Sequence, residues 1–172
     1  MKQTFSSQLI FCACCILAQS LLVSSPGRSD PLVNPTSQKL VFSRGAKETV
    51  LIEGSALKLQ ATIWRNFMPV ITDANSTRLG GTVSFIDVNG KPVPSTLHAV
   101  TVWVVQGDRV WKTHKVEDEE IDDVNPSIRS FKFGDGPKWP AQSYIDIFVR
   151  AVDQHDVHHL LVLRHQIIGT AV

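Results

Sequence analysis

A period of two governs this 172-residue chain. Leu57, Leu59, Ala61 and Ile63 alternate with Lys58, Gln60 and Thr62, the pattern of an extended segment with one face buried and the other in water. Ile145, Ile147, Val149 and Ala151 repeat it against Tyr144, Asp146, Phe148 and Arg150, and Val100, Val102 and Val104 do so with Thr101 and Trp103 between them. β-branched residues fill these runs, and no window of ten or more residues carries a helical stripe. The expectation is an all-β fold, a two-sheet antiparallel β-sandwich of about seven to nine strands.

The turn residues extend this reading. Asn89-Gly90 after "GTVSFIDV" is a hairpin signal, because both central positions of such a turn need positive φ. Pro92 and Pro94 then keep the returning segment short or at an edge. Gly107-Asp108 suits a two-residue turn that begins with glycine, which sets Val105 opposite Val110 and Trp103 opposite Lys112. "VDQHD" joins the last two strands, expected over 143–152 and 158–168.

Residues 1–20 read as a signal peptide: Lys2, an apolar stretch from Leu9 to Ala18, and Ala18-Gln19-Ser20 as the cleavage site. That stretch is shorter than the about 20 apolar residues of a membrane span, so no stable span is expected in the mature chain. The three cysteines, Cys12, Cys14 and Cys15, all fall in this leader. A mature chain cut after Ser20 therefore offers no disulfide, thiolate metal site or cysteine nucleophile. Residues 21–38 hold three prolines among serines and read as a flexible tether, followed by one domain over 39–172. A periplasmic or secreted location is the expectation. Removing Lys2 with the leader leaves 16 basic against 16 acidic residues. Six of the acids sit in "EDEEIDD", residues 117–123. No basic run interleaves with aromatics, which disfavours nucleic-acid binding.

"WPAQSYIDIFVRAVDQHDVHHLLVL" resembles the closing hairpin of bacterial immunoglobulin-like and fibronectin-type domains. The resemblance implies an immunoglobulin-like sandwich in which Tyr144 opens a strand and Asp153 ends it. Tyr144 has the parity of Asp146 and Arg150, so a buried tyrosine corner requires a bulge. "GTVSFIDVNGKPVP" is similar to the strand-turn opening of transthyretin-like modules, again an all-β sandwich. Both resemblances imply architecture and neither implies an activity.

Three groups of residues could carry binding. In "ATIWRNFMPV", the alternation that buries Ile63 turns Trp64 out and Arg65 in. A cation resists that unless paired or at the sheet's end, so the strand is expected to end, bulge or change partner there. Phe67 and Met68 then either plug the sandwich end, or Trp64, Arg65, Asn66 and Phe67 form a recognition patch of the kind Trp and Arg build. Trp103 and Trp111 would stack on sugars if exposed together, although the hairpin register points them to opposite sides. Trp139, between Pro137 and Pro140, would pin a loop. His155 with His158 or His159 is the feasible metal pair across a turn, while the acidic run lacks the glycine and spacing of a calcium loop. Asn75-Ser76-Thr77 is a glycosylation sequon. No nucleophile elbow, phosphate loop or dinucleotide fingerprint occurs. The expectation is an exported, non-enzymatic module without a cofactor, binding a protein or cell-envelope partner through one end or a sheet edge. A carbohydrate module and a weak metal binder are the alternatives.

Overall fold

The computed structural model describes residues 45–66, 78–119 and 125–171. These lie in the second of two compact units, which spans 33–172 and follows a first over 1–32. The described strands are β1 (Thr49–Ile52), β2 (Ser55–Asn66), β3 (Leu79–Asp87), β4 (His98–Gln106), β5 (Arg109–Thr113), β6 (Val116–Asp118), β7 (Ile128–Phe133), β8 (Tyr144–Val152), β9 (His158–Ile167) and β10 (Gly169–Ala171). One sheet runs β1-β2-β3-β7-β6 with β10 also on β2, and the other runs β5-β4-β8-β9. With β2 as strand A, these are the A-B-E-D and C′-C-F-G sheets of an immunoglobulin-like sandwich. The expected fold stands. Ten strands replace seven to nine because β1, β6 and β10 have only three or four residues each, too few to display an alternation. Among the described residues no helix is long and apolar enough to cross a membrane.

Alternation builds the interior. Leu57, Leu59 and Ile63 point inward from β2, Val83 and Phe85 from β3, Phe131 and Phe133 from β7. Against them pack Val102 and Val104 of β4, Ile145, Ile147, Val149 and Ala151 of β8, and Leu161 of β9. Phe85 and Phe131 meet edge to face with centroids 5.6 Å apart, the arrangement aromatic quadrupoles favour. Each fully buried large side chain contributes about 1.5–3 kcal/mol, which is how a domain of this size closes without covalent staples.

Two bulges shift the phase. The β4–β8 register slips between Ala99 and Thr101, so Ala99 takes the inward place and Val100 is left half-buried. The β8–β9 register slips between Ile145 and Ile147. There His165 adopts φ 55°, and its N–H donates to Asp146 Oδ1 at 3.0 Å.

The two turn expectations diverge. Gly107 has φ 58°, and Val105 pairs with Val110 and Trp103 with Lys112, as the two-residue turn requires. Asn89-Gly90 does not make a hairpin, since β3 and β4 lie in different sheets. Only Gly90 of the pair has positive φ. The buried carboxylate of Asp87 takes the N–H groups of Asn89 and Lys91 on one oxygen, both at 2.8 Å. With those donors spent and Pro92 and Pro94 lacking theirs, the segment crosses to the other sheet. Backbone hydrogen bonds and the Lys91 ammonium help hold the Asp87 carboxyl below its ordinary range against the opposing effect of burial, the largest single influence.

Arg129 pins this crossover. Its guanidinium is buried, donates to both oxygens of Asp118, at 3.3 Å from Nε and 2.6 Å from Nη2, and reaches the carbonyls of Pro94 and Ser95. β6, β7 and the β3–β4 connection are thereby tied by one planar fork.

Gly81 offers a test of the packing. A Cβ there would stand 2.5 Å from Ile63 Cδ1 and 2.8 Å from the Thr62 carbonyl oxygen, whereas at Gly80 nothing lies nearer than 3.4 Å. Gly81→Ala should cost about 1–3 kcal/mol of overpacking strain and Gly80→Ala clearly less, measured by urea unfolding. Equal costs would contradict the close approach.

Candidate functional site

The strand carrying Trp64 and Arg65 changes partner, one of the three expected outcomes. Through Lys58 it pairs with β1; from Trp64 it pairs with β10 in parallel, Gly169 opposite Trp64 and Thr170 opposite Arg65. On its other side Trp64 faces Gly80 and Arg65 faces Leu79. Arg65 is half-buried, and its Nη1 donates to the carbonyl oxygen of Trp139 at 3.2 Å. The inward cation is thus paired at the sandwich end. Trp139 is buried there with the Arg109 guanidinium 5.4 Å from its ring centroid, which fits the loop-pinning role expected of it. Trp64 is half-buried on the outer face, and Asn66 joins the β10 ladder through its backbone. Phe67 and Met68 lie outside the described residues.

Joint exposure of the two indoles is the condition for a sugar platform. Trp103 and Trp111 do point to opposite sides of their hairpin, but neither is an exposed plate. Trp111 is half-buried against Phe133, with centroids 5.9 Å apart. Trp103 is 5% exposed on the outer side of its sheet, with Lys112 Nζ and Arg150 Cζ each 5.8 Å from its ring centroid. An inward or outward parity does not decide burial when outer faces are themselves covered.

Tyr144 keeps the outward parity that its sequence position gives it. It is 63% exposed, and the bulge in the β8–β9 ladder does not bring it inward. Backbone bonds close that corner instead: Gln142 N–H to the Ile168 carbonyl at 2.8 Å and Ile168 N–H to the Ser143 carbonyl at 3.1 Å.

Asp153 organises the β8–β9 turn. Oδ1 accepts the N–H groups of His155 at 2.8 Å and Val157 at 3.0 Å, and Oδ2 lies 2.9 Å from His159 Nε2. The hydrogen bond from His159 chiefly, then those backbone donors, lower its carboxyl to about 2. His155 and His158 are exposed, while His159 is committed to Asp153. Among the described residues no group of three or more His, Cys, Asp or Glu side chains is placed to hold a metal ion. Of the acidic run, 120–123 lies outside the described residues, Asp118 binds Arg129, and Glu119 pairs with Lys132 at 2.6 Å.

A different surface stands out. Among the described residues β1 has a single sheet neighbour, β2, and its Leu51 is 73% exposed. Leu51 lies opposite Ala56, and Val88, 48% exposed, donates its N–H to the Ala56 carbonyl at 2.9 Å. These three form an apolar row across the outer face, with Ile86 and Ile128 paired in the next row. The strand "TVLI" contains no charge or proline, two of the devices that usually blunt an edge, although its four residues keep it short. Glu48 and Glu53 stand just outside it. The sequence signal was present, a short β-branched run before the Glu53-Gly54 turn, but four residues are too few to separate a strand from a loop.

The Asp153 geometry fixes a pH response. A carboxylate at about 2 when folded, against an ordinary value near 3.9, stabilises the fold fully above that ordinary value. The contribution fades as pH falls from about 4 to about 2. Asp153→Asn should melt below the native protein at about pH 5, and the gap should shrink towards about pH 2. A gap independent of pH across that window would contradict the assignment. In comparisons with known proteins, no family model, no curated protein and no solved structure matches this chain.

Proposed function

We propose that the mature chain is an exported, non-enzymatic binding module that captures an extended segment of a protein partner, in the periplasm or outside the cell, along the free edge of β1. The observation carrying this reading is Leu51, 73% exposed on an edge strand and aligned with Ala56 and Val88. Strand addition uses the main-chain groups of an open edge for affinity and alternating side chains for selection. A segment laid beside β1 turns one set of side chains onto the apolar row. It turns the other towards a groove of about 270 Å³ lined by Glu48, Thr49, Lys58, Leu59, Val162, Leu163 and Arg164. Burying Leu51 in such a contact contributes about 1.5–3 kcal/mol.

Trp64 lies on the same outer face at the far end of β2 and offers a second contact to a longer partner. Arg65 is engaged with the Trp139 carbonyl and belongs to the end of the sandwich. Export rests on the leader over residues 1–20, and the non-enzymatic reading on the lack of a catalytic motif in the sequence.

A photo-crosslinking residue at position 51 in the producing cell should yield an adduct with a partner. The same residue at position 82, in the centre of the outer face, should not. Leu51→Lys should abolish capture while leaving the melting temperature within about 2 °C, as for an exposed substitution. No adduct from position 51, or adducts of equal yield from 82, would refute edge capture.

A further inference from the structure

The free edge of β1 is complementary to itself. Ala56 lies opposite Leu51 and spends its carbonyl on Val88, on the β3 side of β2. Leu51 and Ala56 are therefore a non-hydrogen-bonded pair, and the N–H and C=O of Leu51 point away from β2. Among the described residues no strand lies on that side. An antiparallel strand placed there exchanges both backbone bonds with Leu51 and sets its side chains opposite those of β1.

Opposed residues in such a ladder share a face, so a copy of β1 related by a twofold axis must pair residues of equal parity. A register centred on Leu51 meets this condition. It sets Leu51 against Leu51, Val50 against Ile52 and Thr49 against Glu53. The apolar row of Leu51, Ala56 and Val88 then continues across the axis into the same row of the second copy.

The charges agree with that register. Lys58 stands opposite Thr49 in the same outer row. Glu53 of the second copy arrives two strand spacings from Lys58, about 10 Å between backbones, with the short Thr49 side chain between them. A lysine's four-carbon stem and a glutamate side chain together span that gap. Among the described residues Lys58 holds no hydrogen bond, ion pair or ring contact, whereas Lys115, Lys132 and Arg164 are paired with Asp135, Glu119 and Asp146. Glu53 is exposed and accepts the Thr96 hydroxyl at 3.4 Å. Glu48, one step beyond Thr49, comes beside Gly54 of the second copy, whose carbonyl holds the Lys91 ammonium at 3.1 Å. Lys47 is drawn off to β9 by its backbone bonds with Leu160 and Val162. Each of these contacts occurs twice about the axis.

We infer that the mature chain pairs with a second copy of itself along β1, antiparallel and about a twofold axis at Leu51. This rests on the edge-capture reading and names the occupant of that edge as another molecule of the same chain. Four residues and one apolar row make a contact at the small end of specific interfaces. The dimer is accordingly reversible and forms as concentration rises.

The mature chain carrying Leu51→Cys should give a disulfide-linked dimer under mild oxidation, because the two Cα atoms of that pair stand about 5.5 Å apart. Thr82→Cys should not. In sedimentation equilibrium the native chain should pass from monomer to dimer. Lys58→Glu should raise the dissociation constant about two- to tenfold, and Glu53→Lys likewise. The two substitutions together should restore it, since the charge pair is then remade in reverse. Effects that add instead, or a dimer that survives Leu51→Lys, would overturn the register. A native chain that stays monomeric, with no disulfide-linked dimer from Leu51→Cys, would overturn self-pairing altogether. Photo-crosslinking from position 51 then separates the two readings: an adduct with a different protein leaves edge capture standing and replaces its occupant, while no adduct at all sinks both.

Discussion

Two sheets must close over one interior with no covalent link between them, and every other feature of the chain answers to that constraint. A domain whose strands hold no cysteine depends on inward apolar residues from every long strand. Leu57, Leu59 and Ile63 meet Ile147, Val149 and Leu161 across that layer, and Phe85 stacks edge-on against Phe131. The glycines serve the same closure: Gly81 lets Ile63 approach β3, and Gly136 lies where a Cβ would meet Leu79 and Trp111. Polar groups are admitted at the ends of the layer, where they find partners. Arg65 reaches a carbonyl, and Arg129 is held by Asp118 and two more carbonyls.

The two outer faces have opposite characters. On the six-stranded sheet the hydroxyls of Thr62, Thr82, Ser84 and Ser130 suit water, with the apolar row of Leu51, Ala56 and Val88 confined to the β1 side. On the four-stranded sheet the outer positions are aromatic and aliphatic and are buried. With one wet face and one buried face, the β1 edge and its adjoining row stand out as exposed apolar surface.

Period and turn chemistry made much of this legible from the residues alone. The inward set of β2 and the pairing of Val105 with Val110 follow from local rules that no tertiary contact overrides. The last hairpin lies within a residue or two of its expected bounds, because Asp153 caps the turn with its own carboxylate. What escaped was set by contacts between distant segments. Asp87 spends its carboxylate on the Lys91 N–H, which an Asn89-Gly90 hairpin would have used to close its turn. A bulge at Val100 hands its inward place to Ala99. The bulge in the β8–β9 ladder, which parity alone does not show, leaves Tyr144 outside while Gln142, Ser143 and Ile168 close the corner through their backbones. Parity placed Trp103 on an outer face correctly, but parity in a two-layer fold does not say whether an outer face is open to solvent, and Trp103 is buried there. The Leu51 edge was missed since four residues display no period, and Arg129 gave no local sign of being buried.

Native-state hydrogen exchange tests the closure of the two sheets most directly. The amides of Val83, Phe85 and Phe131 in one sheet should exchange as slowly as those of Val102, Ile147 and Val149 in the other. All should respond to urea with the same slope, since a single shared interior opens only by global unfolding. Slow exchange confined to one sheet, with the other opening in a separate low-energy step, would contradict the account.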